Sequence, residues 1–238
     1  IISTKCGNEY INGGYVKDGD PKKILRECEE SLRNLRTDYI DLYLVHWPDP
    51  NTPFEETMEA LNRLKKEGKI LHVGVSNFSR EQMEEAGRIC PIEAFQPHYS
   101  MVNRTNEELM RWASEQGMGI MTYGSLGGGI LTGQFREVPT FGHGDMRASF
   151  YGPMFTEPGF SQIQTLLKVM DGIAETHKAT VAQVAINWAL AHDYMHTVLT
   201  GVGNAAEAEE NCAAAAWELT VQEKQELDEA ISKIHIYS

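Results

Sequence analysis

The chain has no long hydrophobic run, no surplus of basic charge and no paired cysteines, and each absence removes a class of function. No apolar stretch in the 238 residues reaches the roughly 18 that a membrane-spanning helix needs, and no basic-then-apolar segment reads as a secretory signal. Only 21 Lys and Arg stand against 34 Asp and Glu, a formal net charge of -13. A surface of that sign repels phosphate backbones and anionic headgroups, so nucleic acid and membrane are disfavoured as partners. Cys6, Cys28, Cys90 and Cys212 form no C-x-x-C pair and have no histidines at metal-ligand spacing, so they read as reduced thiols and no metal is expected. These features together describe a soluble, cytoplasmic protein with a small-molecule ligand.

What is present is an alternation. Short runs rich in Ile, Val, Leu, Tyr and Phe at 1–4, 39–45, 70–75, 92–95, 119–122 and 197–199 read as buried strands. Helical patterns occupy 21–35, 53–67, 80–89, 106–115, 161–177, 181–191, 205–215 and 221–231. Thr52 before Pro53 predicts one helix start, and the Ser79–Gln82 and Thr220–Glu223 spacings predict two capping boxes. Strands separated by helices must pair in parallel, which makes the class α/β. A doubly wound dinucleotide fold would carry G-x-G-x-x-G after its first strand, and Gly124 to Gly129 fails because Leu126 replaces the middle glycine. Gly201-Val-Gly-Asn-Ala-Ala206 fits G-x-G-x-x-A but lies near the C-terminal end, with no second acid-tipped strand after it.

A (β/α)8 TIM barrel is the better expectation, in one domain spanning residues 1–238. Such a barrel typically takes about 250 residues and eight strands, whereas six are legible and the chain begins inside an apolar strand. The N-terminal strands, about two βα units, are therefore expected to be missing. The segment 134–160, rich in aromatics, glycine and proline, predicts a lid or binding loop.

Each predicted strand ends on a polar or small residue: Lys5, His46, Ser76 with Asn77, Gln96, Tyr123 with Gly124 and Ser125, and Gly201. In a barrel those ends form the mouth, where the chemistry sits. Taken singly, Lys5 also reads as a solvated strand terminus and His46, beside Trp47, as a packed core residue.

The order and spacing of I-I-S-T-K at 1–5, D-Y-I-D-L-Y-L-V-H-W at 38–47, G-K-I-L-H-V-G-V-S-N-F at 68–78, F-Q at 95–96, T-Y-G-S-L-G-G-G-I-L-T-G at 122–133 and E-E-N at 209–211 resembles the aldo-keto reductase family throughout. The resemblance implies an NAD(P)H-dependent oxidoreductase that reduces an aldehyde, ketone or sugar-like carbonyl, with the chain covering the third to eighth βα units. It makes Lys5 and His46 the catalytic lysine and histidine, and places the family's tyrosine and aspartate on a preceding segment. The 238 residues alone are accordingly expected to be inactive. Ser76, Asn77 and Gln96 match the residues holding the nicotinamide carboxamide, and Tyr123 matches the ring beneath it. Gly124, Ser125, Leu126, Gly128 and Leu131 match the pyrophosphate loop. Gly201, Gly203, Asn204, Glu207, Glu210 and Asn211 match the adenosine end, and Trp47 and Arg147 would line the substrate. The expected cofactor is NADP(H). NAD(H) is possible because Gly203 stands where NADP-binding relatives have arginine, and Glu207 where they have glutamine, a change that repels a 2′-phosphate. A cofactor-binding regulatory or sensor subunit of the same fold is the alternative function. A Schiff-base enzyme using Lys5 is a third reading, which the cofactor residues oppose.

Overall fold

The computed structural model describes residues 1–11 and 14–237. In chain order the strands are β1 (Ser3–Cys6), β2 (Asn8–Ile11), β3 (Gly14–Lys17), β4 (Ile40–Val45), β5 (Ile70–Ser76), β6 (Ala94–Gln96), β7 (Gly119–Thr122) and β8 (Thr197–Val198). The helices are α1 (Pro21–Leu35), α2 (Phe54–Lys66), α3 (Arg80–Gly87), α4 (Glu107–Glu115), α5 (Gly152–Phe155), α6 (Gly159–His177), α7 (Val181–Leu190), α8 (Ala205–Ala213) and α9 (Val221–Ile231). Contacts divide the chain into two compact units, Ile1–Pro97 with Leu109–Ile120, and His98–Glu108 with Met121–Ser238.

In the first unit β1, β4, β5 and β6 pair in parallel in that order, as strand–helix alternation requires. Strand β7 begins there, with Ala94 opposite Gly119, and ends in the second unit, with Met121 opposite Thr197, again in parallel. The apolar stripes of α1 (Ile24, Cys28, Leu32) and α2 (Met58, Leu61, Leu64) are buried, as are Leu44, Val73 and Val75 of the strands. Each fully buried aliphatic side chain of this kind contributes roughly 1.5–3 kcal/mol.

Three sequence expectations are corrected. Strand β1 spans Ser3–Cys6 rather than 1–4, because the register with β4 sets Lys5 opposite Leu44 and Cys6 opposite Val45. Residues 8–11 and 14–17 pair as antiparallel strands, β2 with β3, where no element was predicted, with Tyr10 and Tyr15 in edge contact at 5.1 Å. Pro53, not Thr52, stands at the N-cap of α2; the Thr52 hydroxyl donates instead to Asp49 at 2.7 Å. The two predicted capping boxes, at Ser79 and Thr220, are present.

The second unit is built on α6, α7 and α9. Buried Asn187 on α7 donates to the carbonyls of Ala214 and Trp217 at 3.0 and 2.6 Å and accepts from Leu219 N at 3.1 Å, so one amide closes three backbone groups between α8 and α9. Gln183, also on α7, donates to Glu210 O at 2.8 Å and holds α8 in place. The predicted 134–160 loop carries α5 and a short turn of helix at Met146–Ala148, and Phe135, Phe141 and Phe155 pack edge to face at 4.9–5.8 Å.

Candidate active site

In the first unit, register brings Lys5, His46, Ser76, Asn77 and Gln96 to the C-terminal ends of neighbouring strands. His46 N donates to Cys6 O at 2.9 Å, continuing the β1–β4 ladder by one residue, and Ser76 lies opposite Gln96. Buried Ser76 donates from Oγ to Gln96 O at 2.7 Å. Asn77 Nδ2 lies 3.0 Å from both His46 O and Ser76 Oγ, which accept from it. Asn77 adopts φ 62°, a left-handed conformation that asparagine tolerates better than most residues. Ser76, Asn77, Gln96 and the His46 backbone are thus tied together by their own polar groups.

Its electrostatics follow from crowding. Burial lowers the pKa of Lys5. Burial, and then the Lys5 charge, lower that of His46, which keeps the imidazole neutral near pH 7. His46 Nδ1 faces Asn8 Nδ2 at 3.5 Å, so a donor on that side leaves the ring proton on Nε2. A neutral imidazole N–H beside an ammonium is suited to polarise a carbonyl oxygen as negative charge develops on it. Tyr43, opposite Thr4 in the register, is fully buried with its hydroxyl against Cys6, and its pKa is driven far up, so it cannot serve as an acid. The Trp47 ring carries Lys17 Nζ at 4.6 Å from its centroid.

The second unit holds a cleft of about 620 Å³. Of the residues singled out from sequence, Gly124, Ser125, Leu126, Gly128, Gly201, Glu207, Glu210 and Asn211 line it, and so does Tyr151, one of the aromatics of the 134–160 segment expected to form a lid or binding loop. Gly124 and Gly128 both have φ 67°, and a Cβ on Gly128 would lie 2.7 Å from Tyr151 Cγ, so only glycine fits there. Leu131 is instead fully buried. Asn204 caps α8 as expected, accepting from Glu207 N at 3.0 Å. The Glu207 carboxylate accepts from Gly203 N at 2.6 Å and from Asn204 Nδ2 at 2.8 Å. A side-chain anion therefore already sits at this helix N-terminus. Asn211 Nδ2 lies 3.4 Å from Gly201 O, its acceptor.

Tyr123 stacks on His98, with ring centroids 5.1 Å apart and planes 18° from parallel. The stacking of His98 on Tyr123 depends on the chain's return through β7, which local pattern does not reveal. Arg147 forks onto Asp145, with Nη2 to Oδ2 at 2.6 Å, and lies 4.6 Å from the Phe141 ring centre. Among the described residues no group of three or more metal-ligating side chains occurs, and no helix is long and apolar enough to cross a membrane.

Comparison with known proteins gives this geometry a context. The model of the Aldo/keto reductase family matches residues 1–232. Aldo-keto reductase YhdN of Bacillus subtilis (strain 168) is 34% identical over 230 residues, covering 96% of this chain and 69% of the relative. L-glyceraldehyde 3-phosphate reductase of Escherichia coli (strain K12) is 30% identical over 226 residues, covering 90% and 64%. The chain thus spans about two thirds of the length of these curated relatives. Among solved structures, the glycerol dehydrogenase AKR11B4 from Gluconobacter oxydans superposes with a TM-score of 0.90 at 30% identity, over 99% of this chain and 73% of that one. The holo form of aldo-keto reductase AKR11C1 from Bacillus halodurans gives 0.76 at 28% identity, over 97% and 72%. These matches do not bear out the numbering of the six strands as the third to eighth. They do agree with the motifs and with the polar strand ends: the chain belongs to the aldo/keto reductase family.

Proposed function

We propose that the chain acts as an NAD(P)(H)-dependent oxidoreductase that interconverts a small aldehyde, ketone or sugar-like carbonyl with its alcohol. The observation that carries this reading is the polar rim at the strand ends, where Ser76, Asn77, Gln96 and the His46 backbone are hydrogen-bonded to one another and Lys5 stands on the neighbouring strand, its charge felt by His46. A pure binding subunit would have no use for Lys5 beside a neutral His46. The names of two relatives, a glyceraldehyde 3-phosphate reductase and a glycerol dehydrogenase, make a small polyhydroxy carbonyl the first substrate class to test.

The donor sets fit a dinucleotide. Amide and hydroxyl groups of Ser76, Asn77 and Gln96 suit a carboxamide, which both donates and accepts. The Gly124–Gly128 wall, with its left-handed glycines, allows close backbone approach to an anion. The bound nicotinamide would supply hydride to the carbonyl carbon. The chain's own residues orient the carboxamide, so that one ring face is presented, and hold the carbonyl oxygen at His46 Nε2. Lys5 stabilises negative charge at that oxygen or at the proton donor, which by resemblance is a tyrosine outside the matched motifs of this chain. Trp47 and Arg147 remain assigned to the substrate side.

For the cofactor, Glu207 bears on the choice between NADP(H) and NAD(H). Its carboxylate accepts from the Gly203 backbone N–H and the Asn204 side-chain amide, donors that would otherwise be open to a phosphate, so discrimination in favour of NADP(H) should be small or reversed. Fluorescence titration with NADH and NADPH, followed by cofactor oxidation against a panel of aldehydes and ketones, tests the whole reading. A saturable response to at least one cofactor is expected; none to either removes the oxidoreductase assignment.

A further inference from the structure

The buried imidazole of His98 has one nitrogen with a partner and one without. Asn103 donates from Nδ2 to His98 Nδ1 at 2.9 Å, and Asn103 is itself oriented by Thr105, whose N and Oγ1 donate to its Oδ1 at 3.3 and 2.9 Å. Nδ1 is therefore the acceptor, and the ring proton lies on Nε2. That Nε2 is enclosed and makes no hydrogen bond. It is pressed against Gly124, where a Cβ would lie 2.5 Å from Nε2 and 3.1 Å from Tyr151 Oη. The imidazole N–H and the phenol hydroxyl thus converge on one edge of the same glycine. Tyr151 runs from there along Gly128, and Gly124, Gly128 and Tyr151 line the cleft. Burial keeps both groups in the neutral, donating form: the Tyr151 pKa is raised and that of His98 is pushed down to about 4.

We propose that Tyr151 and His98 are an added anion-binding pair of this cleft: His98 Nε2–H anchors Tyr151 Oη, and the tyrosine presents its own O–H to a phosphate oxygen of the bound dinucleotide. The inference rests on the dinucleotide reading above. A buried N–H without an acceptor is costly, and Tyr151 Oη, on the same edge of Gly124, is positioned to relieve it by a small turn of the ring. A hydroxyl that accepts from an imidazole is polarised into a better donor, which suits an anionic oxygen at a glycine wall. Tyr151 is then a binding residue and His98 its positioning residue.

The test is fluorescence titration of the full chain and its variants with ADP-ribose, NADH and adenosine. Tyr151→Phe, which removes only the hydroxyl, should weaken ADP-ribose and NADH by about tenfold, the scale of one lost hydrogen bond to a charged group. Adenosine, which has no phosphate, should bind as before. His98→Leu should match Tyr151→Phe, and the double variant should be no weaker than either. His98→Gln, whose amide nitrogen reaches the place of Nε2, should restore most of the affinity. Unchanged ADP-ribose affinity in Tyr151→Phe, or His98→Gln as weak as His98→Leu, overturns the pair while leaving the dinucleotide reading intact. Failure of the unmodified chain to bind either ADP-ribose or NADH overturns both.

Discussion

Asn77 donates its side-chain amide to the backbone carbonyl of His46 across the β4–β5 boundary, at 3.0 Å. The residue proposed to orient the nicotinamide therefore also fixes the backbone of the residue proposed to polarise the carbonyl. Asn77→Gly keeps the left-handed backbone accessible (φ 62° in the structure) but removes the amide. Turnover should fall by at least about tenfold, and stability by about 1 kcal/mol. Steady-state kinetics with urea unfolding separates the two effects. Wild-type turnover in Asn77→Gly would mean that the His46 backbone needs no tie.

Lys5→Met and His46→Ala should each lower turnover by about a hundredfold or more, in line with acid–base catalysis and its electrostatic support. Cofactor affinity should change far less, because neither residue lies among the groups assigned to the dinucleotide. The measurement is kcat beside a cofactor dissociation constant. A near-normal kcat in Lys5→Met would remove the central assignment.

Much of this arrangement was legible in the sequence where local chemistry dictates structure. Helix α1 begins at its proline and α9 after its Thr220 capping box, so both were read to the residue. The polar tips of β4, β5 and β6 were visible because each apolar run stops at a residue of catalytic type. The antiparallel pairing of β2 with β3 was not, because a reading built on strand–helix alternation passes over short strands that pair with each other. The Asn-Gly dipeptide at 12–13, a hairpin signal in sequence, lies outside the described residues. Strand β1 moved by two positions because its limits are set by pairing with β4, a tertiary constraint. The convergence of His98 and Tyr151 on Gly124 joins residues far apart in the chain, and no spacing rule encodes that.

His98 also predicts how stability depends on pH. Its folded-state pKa of about 4 lies below the ordinary 6.5, so the unfolded chain takes up this proton first as pH falls. Stability is unaffected by this residue above about pH 6.5 and is lost progressively between about pH 6.5 and 4, by on the order of 3 kcal/mol in all. His98→Gln, which cannot titrate, should lose less stability across that window than the unmodified chain. Urea unfolding at intervals from pH 7 to about pH 4 measures the difference. Parallel curves for the two proteins would show that the folded imidazole titrates normally.

Glu207 sets the last expectation. Its carboxylate caps Gly203 N at 2.6 Å and Asn204 Nδ2 at 2.8 Å, placing a negative charge where a 2′-phosphate would approach the start of α8. Glu207→Gln preserves one acceptor oxygen and removes the charge, so the cap is weakened rather than abolished, at about 0.5–1 kcal/mol. The ratio of NADPH to NADH affinity should rise by about tenfold, and it should rise further in Gly203→Arg/Glu207→Gln, where a guanidinium can pair with the phosphate in bidentate fashion. Gly203 is exposed and has ordinary, negative-side backbone geometry, with only the Glu207 carboxylate near a Cβ, at 3.2 Å. An arginine is therefore accommodated there. Paired fluorescence titrations with the two cofactors give the ratio directly. A ratio that stays constant through both variants would show that the adenosine ribose is met elsewhere in the cleft and that Glu207 acts only as a helix cap.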